Sequence, residues 1–289
     1  MQLGLNSNEQ LIINKIAQVS QKSESKVFVV GGFVRDKVLG RPCMDIDVVC
    51  LGDAISFAEE VSLQFKPQPK LSWFKNFGTA HFHLNGYDVE FVGARKESYQ
   101  RDSRNPVVEP GTLQDDQERR DFTINALAFD PIDLLNGNDI QLLDPFNGVQ
   151  DIQDKIIRTP LEPHKTFSDD PLRMMRAIRF ASQLGFTIDS NTLLGIAETA
   201  ERISIISQER ITDEFNKILL SSKPSVGLDL LYKTGLLKLI FPALVELAGA
   251  EYIDGKGHKD NFYHTLQVLD NICANTNNLW LRWAALLHD

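Results

Sequence analysis

The chain has 289 residues, 43% hydrophobic and 24% charged, with a formal net charge of −9. This describes a globular protein long enough for two domains, and it excludes a chain coated in nucleic acid over its whole surface, since phosphate contacts draw on Lys and Arg; a local basic stripe remains compatible with the total. Three scattered cysteines, Cys43, Cys50 and Cys273, form neither a disulfide framework nor a cysteine zinc site and point to a reducing cytoplasm; the N-terminus lacks signal-peptide features, and no run approaches the roughly 18 apolar residues of a membrane span.

Taken in chain order, "LIINKIAQVSQ" predicts a short amphipathic helix. "KVFVV" is a β-branched and aromatic strand stopped by Gly31-Gly32, and "FVRDKVLG" is a helix ended by Gly40. "DIDVVC" alternates as a second strand, and "AISFAEEVSLQF" returns to helix. "TAHFHLNGYDVEFVGA" reads as a hairpin turning at Asn85-Gly86. "RKESYQRDSRNPVVEPGTLQDDQ" is polar and proline-bearing and is expected to be one long loop. "INALAFD" suggests a further helix and "IQLLD" a strand.

From about residue 150 the apolar residues recur three and four apart, in "GVQDIQDKIIR", "DDPLRMMRAIRFASQLGF", "TLLGIAETAERI", "ITDEFNKILLS", "VGLDLLYKTGLLKLI" and "FYHTLQVLDNICA". Strands followed by helices predict an α+β head with a mixed sheet, then an all-α neck and body. The expected divisions are 1–150, 151–245 and 246–289.

The segment "GGFVRDKVLGRPCMDIDVVC" carries the chemistry. Residues i and i+2 of a strand share a face, so Asp45 and Asp47 project together while Ile46 and Val48 enter a core. Two adjacent carboxylates repel unless a cation lies between them, and Mg²⁺ held by carboxylates and substrate phosphates suits them. Gly31 and Gly32 let the backbone approach a ligand, the following helix start offers N–H groups to a triphosphate, and Arg35 adds a cation. A glycine turn or an Asp-x-Asp pair alone is ordinarily structural. Strand, turn, helix and strand in order within seventeen residues is far more specific.

This segment resembles the signature of the tRNA nucleotidyltransferase and bacterial poly(A) polymerase family, a branch of the DNA polymerase beta-like nucleotidyltransferases. The resemblance continues through "ERRDFTINALAFD" (118–130), "LLDPFNGVQDI" (142–152) and "DDPLRMMRAIRFASQLGF" (169–186), and covers roughly residues 25 to 245. It implies that Asp45 and Asp47 bind catalytic Mg²⁺, that Glu90 in "YDVEFV" is a third catalytic carboxylate, and that Gly31, Gly32, Arg35 and Arg120 contact the incoming nucleotide. Read from the residues alone, Arg119 and Arg120 beside Asp115, Asp116 and Glu118 are surface ion pairs of little weight. Asp121 and Asn125 are expected to organise that turn, and Asp36 to form a salt bridge or cap.

In "DDPLRMMRAIRF", Pro171 suits a first helical turn. Asp170, Arg173, Arg176 and Arg179 follow at steps of three, each slipping back about 60°, as one slanted polar stripe. The resemblance implies that Asp170 and Arg173 read the Watson–Crick edge of cytosine or adenine, with Arg176 and Arg179 further along the nucleotide site. Where the family has Glu-Asp, this chain has Asp169-Asp170, which bears on the choice between C and A.

"GHKDNFYHTLQVLDN" and "WLRWAALLHD" resemble the opening of an HD-type phosphohydrolase domain with His264, His288 and Asp289 as metal ligands, in an apparently truncated chain. Arg101 and Arg104 are expected to be solvated loop charges, and His81 and His83 strand residues rather than ligands. The resemblance therefore implies a cytoplasmic Mg²⁺-dependent enzyme adding C and A from CTP and ATP to a tRNA 3′ end. The alternatives are a poly(A) polymerase, a CC- or A-adding enzyme, an HD-type metal phosphohydrolase, or a non-catalytic RNA-binding protein.

Overall fold

A computed structural model describes residues 3–75, 78–98, 107–249, 252–253, 256–257 and 260–288. The chain divides into two compact units, the first ending at Asp154 and the second running from Lys155 onward.

The first unit opens with helix α1 (Ser7–Ser23), started by a capping box between Asn6 and Glu9. Its stripe of Ile12, Ile13, Ile16 and Ala17 is fully buried. Strand β1 (Val27–Val30), helix α2 (Gly32–Val38), strand β2 (Asp45–Cys50) and helix α3 (Ala54–Ser62) follow, then strands β3 (Leu71–Phe74), β4 (Thr79–Leu84) and β5 (Tyr87–Gly93). Positive φ at both Asn85 (+52°) and Gly86 (+86°) gives the β4–β5 hairpin the twist its strands need.

The segment expected to be a long loop carries secondary structure among its described residues. Strands β6 (Arg95–Ser98) and β7 (Val107–Pro110) pair antiparallel, and helix α4 (Leu113–Glu118) starts on a Thr112–Asp115 capping box. Arg101 and Arg104 lie outside the described residues. "INALAFD" is also not a helix: a 3-10 turn at Thr123–Asn125 leads into strand β8 (Ala128–Phe129), because a short run buried on every side carries no period. Helix α5 (Pro131–Leu135), strand β9 (Leu142–Leu143) and helix α6 (Gly148–Asp154) complete the unit.

These strands form a seven-stranded sheet in the order β3-β4-β5-β2-β1-β8-β9, in which only β2 and β5 run parallel. Ile46, Val48, Phe82, Val89 and Phe91 are fully buried on one face, where Phe57 packs on Phe91 and Phe65 on Phe82. The residues between them occupy the other face. There Asp47 lies opposite Glu90, which lies opposite His81, and Asp45 lies opposite Asp88, which lies opposite His83.

The second unit begins with β10 (Ile156–Ile157), paired in parallel with β11 (Thr187–Ile188); this ribbon and a second one near residue 255 depart from the all-helical expectation. Helix α7 (Pro163–Asp169) precedes α8 (Leu172–Leu184), which stops at Gly185 (φ +68°). Then come α9 (Ser190–Thr199), α10 (Gln208–Leu219), α11 (Pro224–Lys233), α12 (Leu236–Ile240) and α13 (Pro242–Val245). The single helix expected over "VGLDLLYKTGLLKLI" breaks at Gly235 (φ +79°). A short β12–β13 ribbon (Tyr252–Ile253, Lys256–Gly257) precedes α14 (Asn261–Cys273) and α15 (Leu279–Leu286). Among the described residues no helix is long and apolar enough to cross a membrane.

Candidate active site

The β1–α2 junction and the β2–β5 pair meet in the first unit. Gly31 has φ +79° and a backbone approached so closely that a Cβ would stand 2.8 Å from Nη1 of Arg120 and 3.2 Å from Oδ2 of Asp47. The Arg120 cation and the Asp47 carboxylate thus flank a backbone position that only glycine fits. Helix α2 is only two turns long, so its dipole adds little here, and Arg120 is the main positive group beside the turn.

Arg120 is held from behind. Its Nε and Nη2 donate to Oδ2 of Asp116 at 3.0 and 2.9 Å, and Nη1 donates to the Asn125 carbonyl at 3.3 Å. Arg119 grips the other oxygen of the same carboxylate. Asp116 is 0% exposed, so the sequence reading of weak surface pairs fails here. Burial pushes its pKa up, but Arg120 and Arg119 overcome that and hold it below the ordinary carboxylate range. From the sequence Asp116 is only a surface ion-pair partner; the signal for the clamp is an acidic residue three and four positions before two arginines at the end of a short helix.

Arg35 is also buried and braced. Asp36 accepts from its Nε and Nη2 at 3.0 and 2.8 Å, and Asn125 Oδ1 accepts from Nη1 at 2.6 Å. Asp121 in turn accepts from the Asn125 amide and from the Phe122 N–H, both at 2.9 Å. Gly32 lies over this guanidinium, a Cβ there standing 3.6 Å from Nη2.

The carboxylates fit a divalent cation. Asp45 is exposed and Asp47 half-buried. The Asp47 pKa is pushed up to about 6, first by burial and then by Glu90, Asp45 and Asp116, against the pull of Arg120. One arginine does not balance the negative charge, so the site is short of positive charge. Among the described residues no three His, Cys, Asp or Glu side chains are arranged as a metal cage. Two carboxylates with room for phosphate oxygens and water are the donor set of Mg²⁺.

The cradle gives a direct prediction. Gly31→Ala places a Cβ against Arg120 and forces a positive φ, and it is expected to raise the KM for nucleotide at least about 10-fold and to cost about 1–2 kcal/mol of stability. Steady-state kinetics with thermal denaturation checks both.

The remaining predicted nucleotide residues lie in the second unit, on or just before α8. Oδ1 of Asp170 accepts from the Leu172 N–H at 3.2 Å, at the start of that helix. Arg173 is buried, with Nη1 donating to the Thr166 carbonyl at 3.4 Å, and Arg176 lies half-buried over the Phe180 ring. Arg179 is tied to Glu214 of α10 at 2.6 Å and to Gln183 at 2.9 Å, and its guanidinium stacks 4.1 Å from the Phe180 ring centroid. The stripe is therefore mostly withdrawn from solvent, and its last arginine packs α8 on α10.

At the end of the chain the His264 and His288 rings approach to 6.1 Å between centroids, and Asp289 lies outside the described residues. His83, a strand residue as expected, has a carboxylate partner across the hairpin, with Nδ1 3.0 Å from Oδ1 of Asp88.

Known proteins match in the same order along the chain. The "Poly A polymerase head domain" model covers residues 27–158, and the "Probable RNA and SrmB- binding site of polymerase A" model covers 185–247. A CCA-adding enzyme of Geobacillus sp. (strain WCH70) is 37% identical over 267 residues, 89% of this chain and 63% of the relative. An A-adding tRNA nucleotidyltransferase of Aquifex aeolicus is 38% identical over 206 residues, 67% of this chain and 24% of the relative. The chain thus spans less than two thirds of the length of either. A crystal structure of a tRNA nucleotidyltransferase with a primer tRNA and an incoming ATP analog superposes with a TM-score of 0.72 at 27% identity, over 94% of this chain and 75% of that one. With a polymerase-beta-like head and an RNA-binding region in sequence, the chain belongs to the family of tRNA nucleotidyltransferases and bacterial poly(A) polymerases.

Proposed function

We propose that this chain carries the catalytic portion of a template-independent, Mg²⁺-dependent RNA nucleotidyltransferase of the cytoplasm. It adds C and A residues from CTP and ATP to a tRNA 3′ end and releases pyrophosphate. Residues 1–150 form the catalytic head, 151–245 the neck that selects the base and binds RNA, and 246–289 an HD-like helical segment. The observation that carries the reading is Asp47 in register with Glu90 and beside Gly31 and Arg120.

In this reading Asp45 and Asp47 hold Mg²⁺, which supplies charge neutralisation for the transferring phosphorus and lowers the pKa of the attacking hydroxyl. The side-chain-free turn at Gly31 and Gly32 seats the triphosphate, and Arg120, clamped by Asp116, neutralises the departing pyrophosphate. Arg35 is fixed by Asp36 and Asn125 and stiffens the floor beneath Gly32. Glu90 faces the acceptor hydroxyl and favours loss of its proton. Positioning and charge stabilisation account for most of the catalysis of phosphoryl transfer, and braced arginines supply both. Asp170 and Arg173 pair with the base edge, Arg176 extends that surface, and Arg179 supports it through Glu214. Three free cysteines fit a reducing compartment.

The test is incorporation of each labelled NTP, one at a time, into tRNA lacking its last one, two or three nucleotides. CTP should be added to the two shorter acceptors and ATP to the longest. Single additions of A alone or of C alone would identify an A-adding or CC-adding enzyme, and long A tails a poly(A) polymerase. No incorporation of any NTP, with phosphate released from a cyclic or monoester substrate, would support the HD-type phosphohydrolase instead.

A further inference from the structure

The row of side chains containing Asp47 and Glu90 does not end at β5. On the same face, Glu90 lies opposite His81 of β4, and His81 lies opposite Ser72 of β3. Phe74, the next residue of β3 on that face, lays its ring parallel to His81, with centroids 6.1 Å apart and planes 10° apart. Phe74 is 55% exposed, whereas Phe82 and Phe91 of the neighbouring strands are fully buried on the opposite face. The Phe74–His81 stack therefore belongs to the carboxylate face and not to the core.

Sheet order gives this stack a direction. Gly31 and Arg120 lie on the β1 side of the aspartates, whereas β5, β4 and β3 extend the other way. In-line displacement places the attacking hydroxyl opposite the leaving pyrophosphate. The acceptor end must then approach from the β5 side, with its last nucleoside over β4 and β3. His81 stands two strand spacings from Asp47, about 10 Å. Exposed Lys70 and Lys75 bracket β3, where they attract a phosphate backbone.

We propose that Phe74 and His81 form a stacking platform for the 3′-terminal nucleoside of the acceptor RNA. The proposal rests on the nucleotidyl-transfer reading above. Stacking accepts any base, since every base has a π-face, which suits an acceptor whose last base changes with each addition.

The test compares the chain with Phe74→Ala, His81→Ala and Phe74→Tyr, using acceptor RNAs ending in a normal or an abasic 3′ nucleotide. Phe74→Ala should raise the KM for normal acceptor about 10-fold and His81→Ala less, while Phe74→Tyr stays near the parent. Equilibrium binding of CTP without acceptor should be unchanged in Phe74→Ala. The abasic end should penalise the parent and add no further penalty in Phe74→Ala. A parental acceptor KM in Phe74→Ala, or an abasic penalty undiminished by it, overturns the platform. If the parent transfers no nucleotide, the functional reading has failed. The platform is then judged on its own by quenching of a 3′-terminal 2-aminopurine, present in the parent and absent in Phe74→Ala if it exists; no quenching in the parent overturns it.

Discussion

Asp47→Asn is expected to lower nucleotide transfer by about 10³-fold or more and, in the same protein, to raise the stability of the metal-free chain. In the proposed reading the loss follows from removing a carboxylate that would hold the cation against the reacting phosphate. The gain follows from the raised pKa. Asp47 ionises near 3.8 in the unfolded chain and at about 6 in the folded one, because burial and the carboxylates of Glu90 and Asp45 oppose its charge. Below pH 3.8 both states are protonated and no penalty exists. As pH rises toward 6 the unfolded chain ionises first, so the stability present at low pH is lost, and above about 7 the penalty is constant. A shift of about two units corresponds to about 3 kcal/mol, or on the order of 1–2 kcal/mol once solvent screening of a half-buried group is allowed for. Asparagine carries no such charge. Denaturation in EDTA should show the Asp47→Asn advantage growing between pH 4 and 6 and flat above 7, and saturating Mg²⁺ and nucleotide should erase it by stabilising the parent. A residue kept only for packing would not trade stability for activity in this way.

The largest stability effect lies in the second unit. Arg282 is 1% exposed, and its partners among the described residues are carbonyls and an amide, not a carboxylate. Its Nη1 donates to the Leu219 and Ser221 carbonyls at the end of α10, the latter at 2.7 Å. Its Nε and Nη2 donate to the Thr276 carbonyl at 3.1 and 3.0 Å, and Nη2 also reaches Oδ1 of Asn277 at 3.0 Å. The guanidinium thus caps carbonyls left over at a helix end, where a cation is also favoured by the dipole. Arg282→Met fills the volume but leaves these carbonyls buried without donors, and it is expected to cost about 3–5 kcal/mol. For a unit of this size that is a fall of about 10 °C in Tm. Arg282→Lys keeps the charge without the planar fork and should recover only part of it. A fall under about 2 °C for Arg282→Met would show that water satisfies the same carbonyls.

The head was legible because its signals are local. Alternation placed Asp45 and Asp47 on one face, Asn85-Gly86 announced its turn, and Gly31-Gly32 marked the strand end. What depended on partners distant in sequence stayed hidden. Nothing local says that Glu90 pairs with Asp47 in parallel register, or that this row continues to His81 and Phe74. Charge clusters read as solvated because burial is not written in charge, as Asp116 shows with both its arginines. Arg282 in "WLRWAALL" is the same lesson: a lone arginine among apolar residues passes for a surface residue until its carbonyl partners, some sixty positions earlier, are seen. Thr112–Asp115 was readable as a capping box but was masked by the proline-rich polarity before it.

The proposed chemistry needs a cation and a polyphosphate to meet at Asp45, Asp47 and Gly31. A crystal structure of the chain with CTP and Mg²⁺ tests it most directly. The expected result is an ion about 2.1 Å from oxygens of both aspartates, with phosphate oxygens in hydrogen-bond reach of the Gly31–Gly32 backbone and of Arg120. An ion bound elsewhere, or a triphosphate seated away from those glycines, would contradict it.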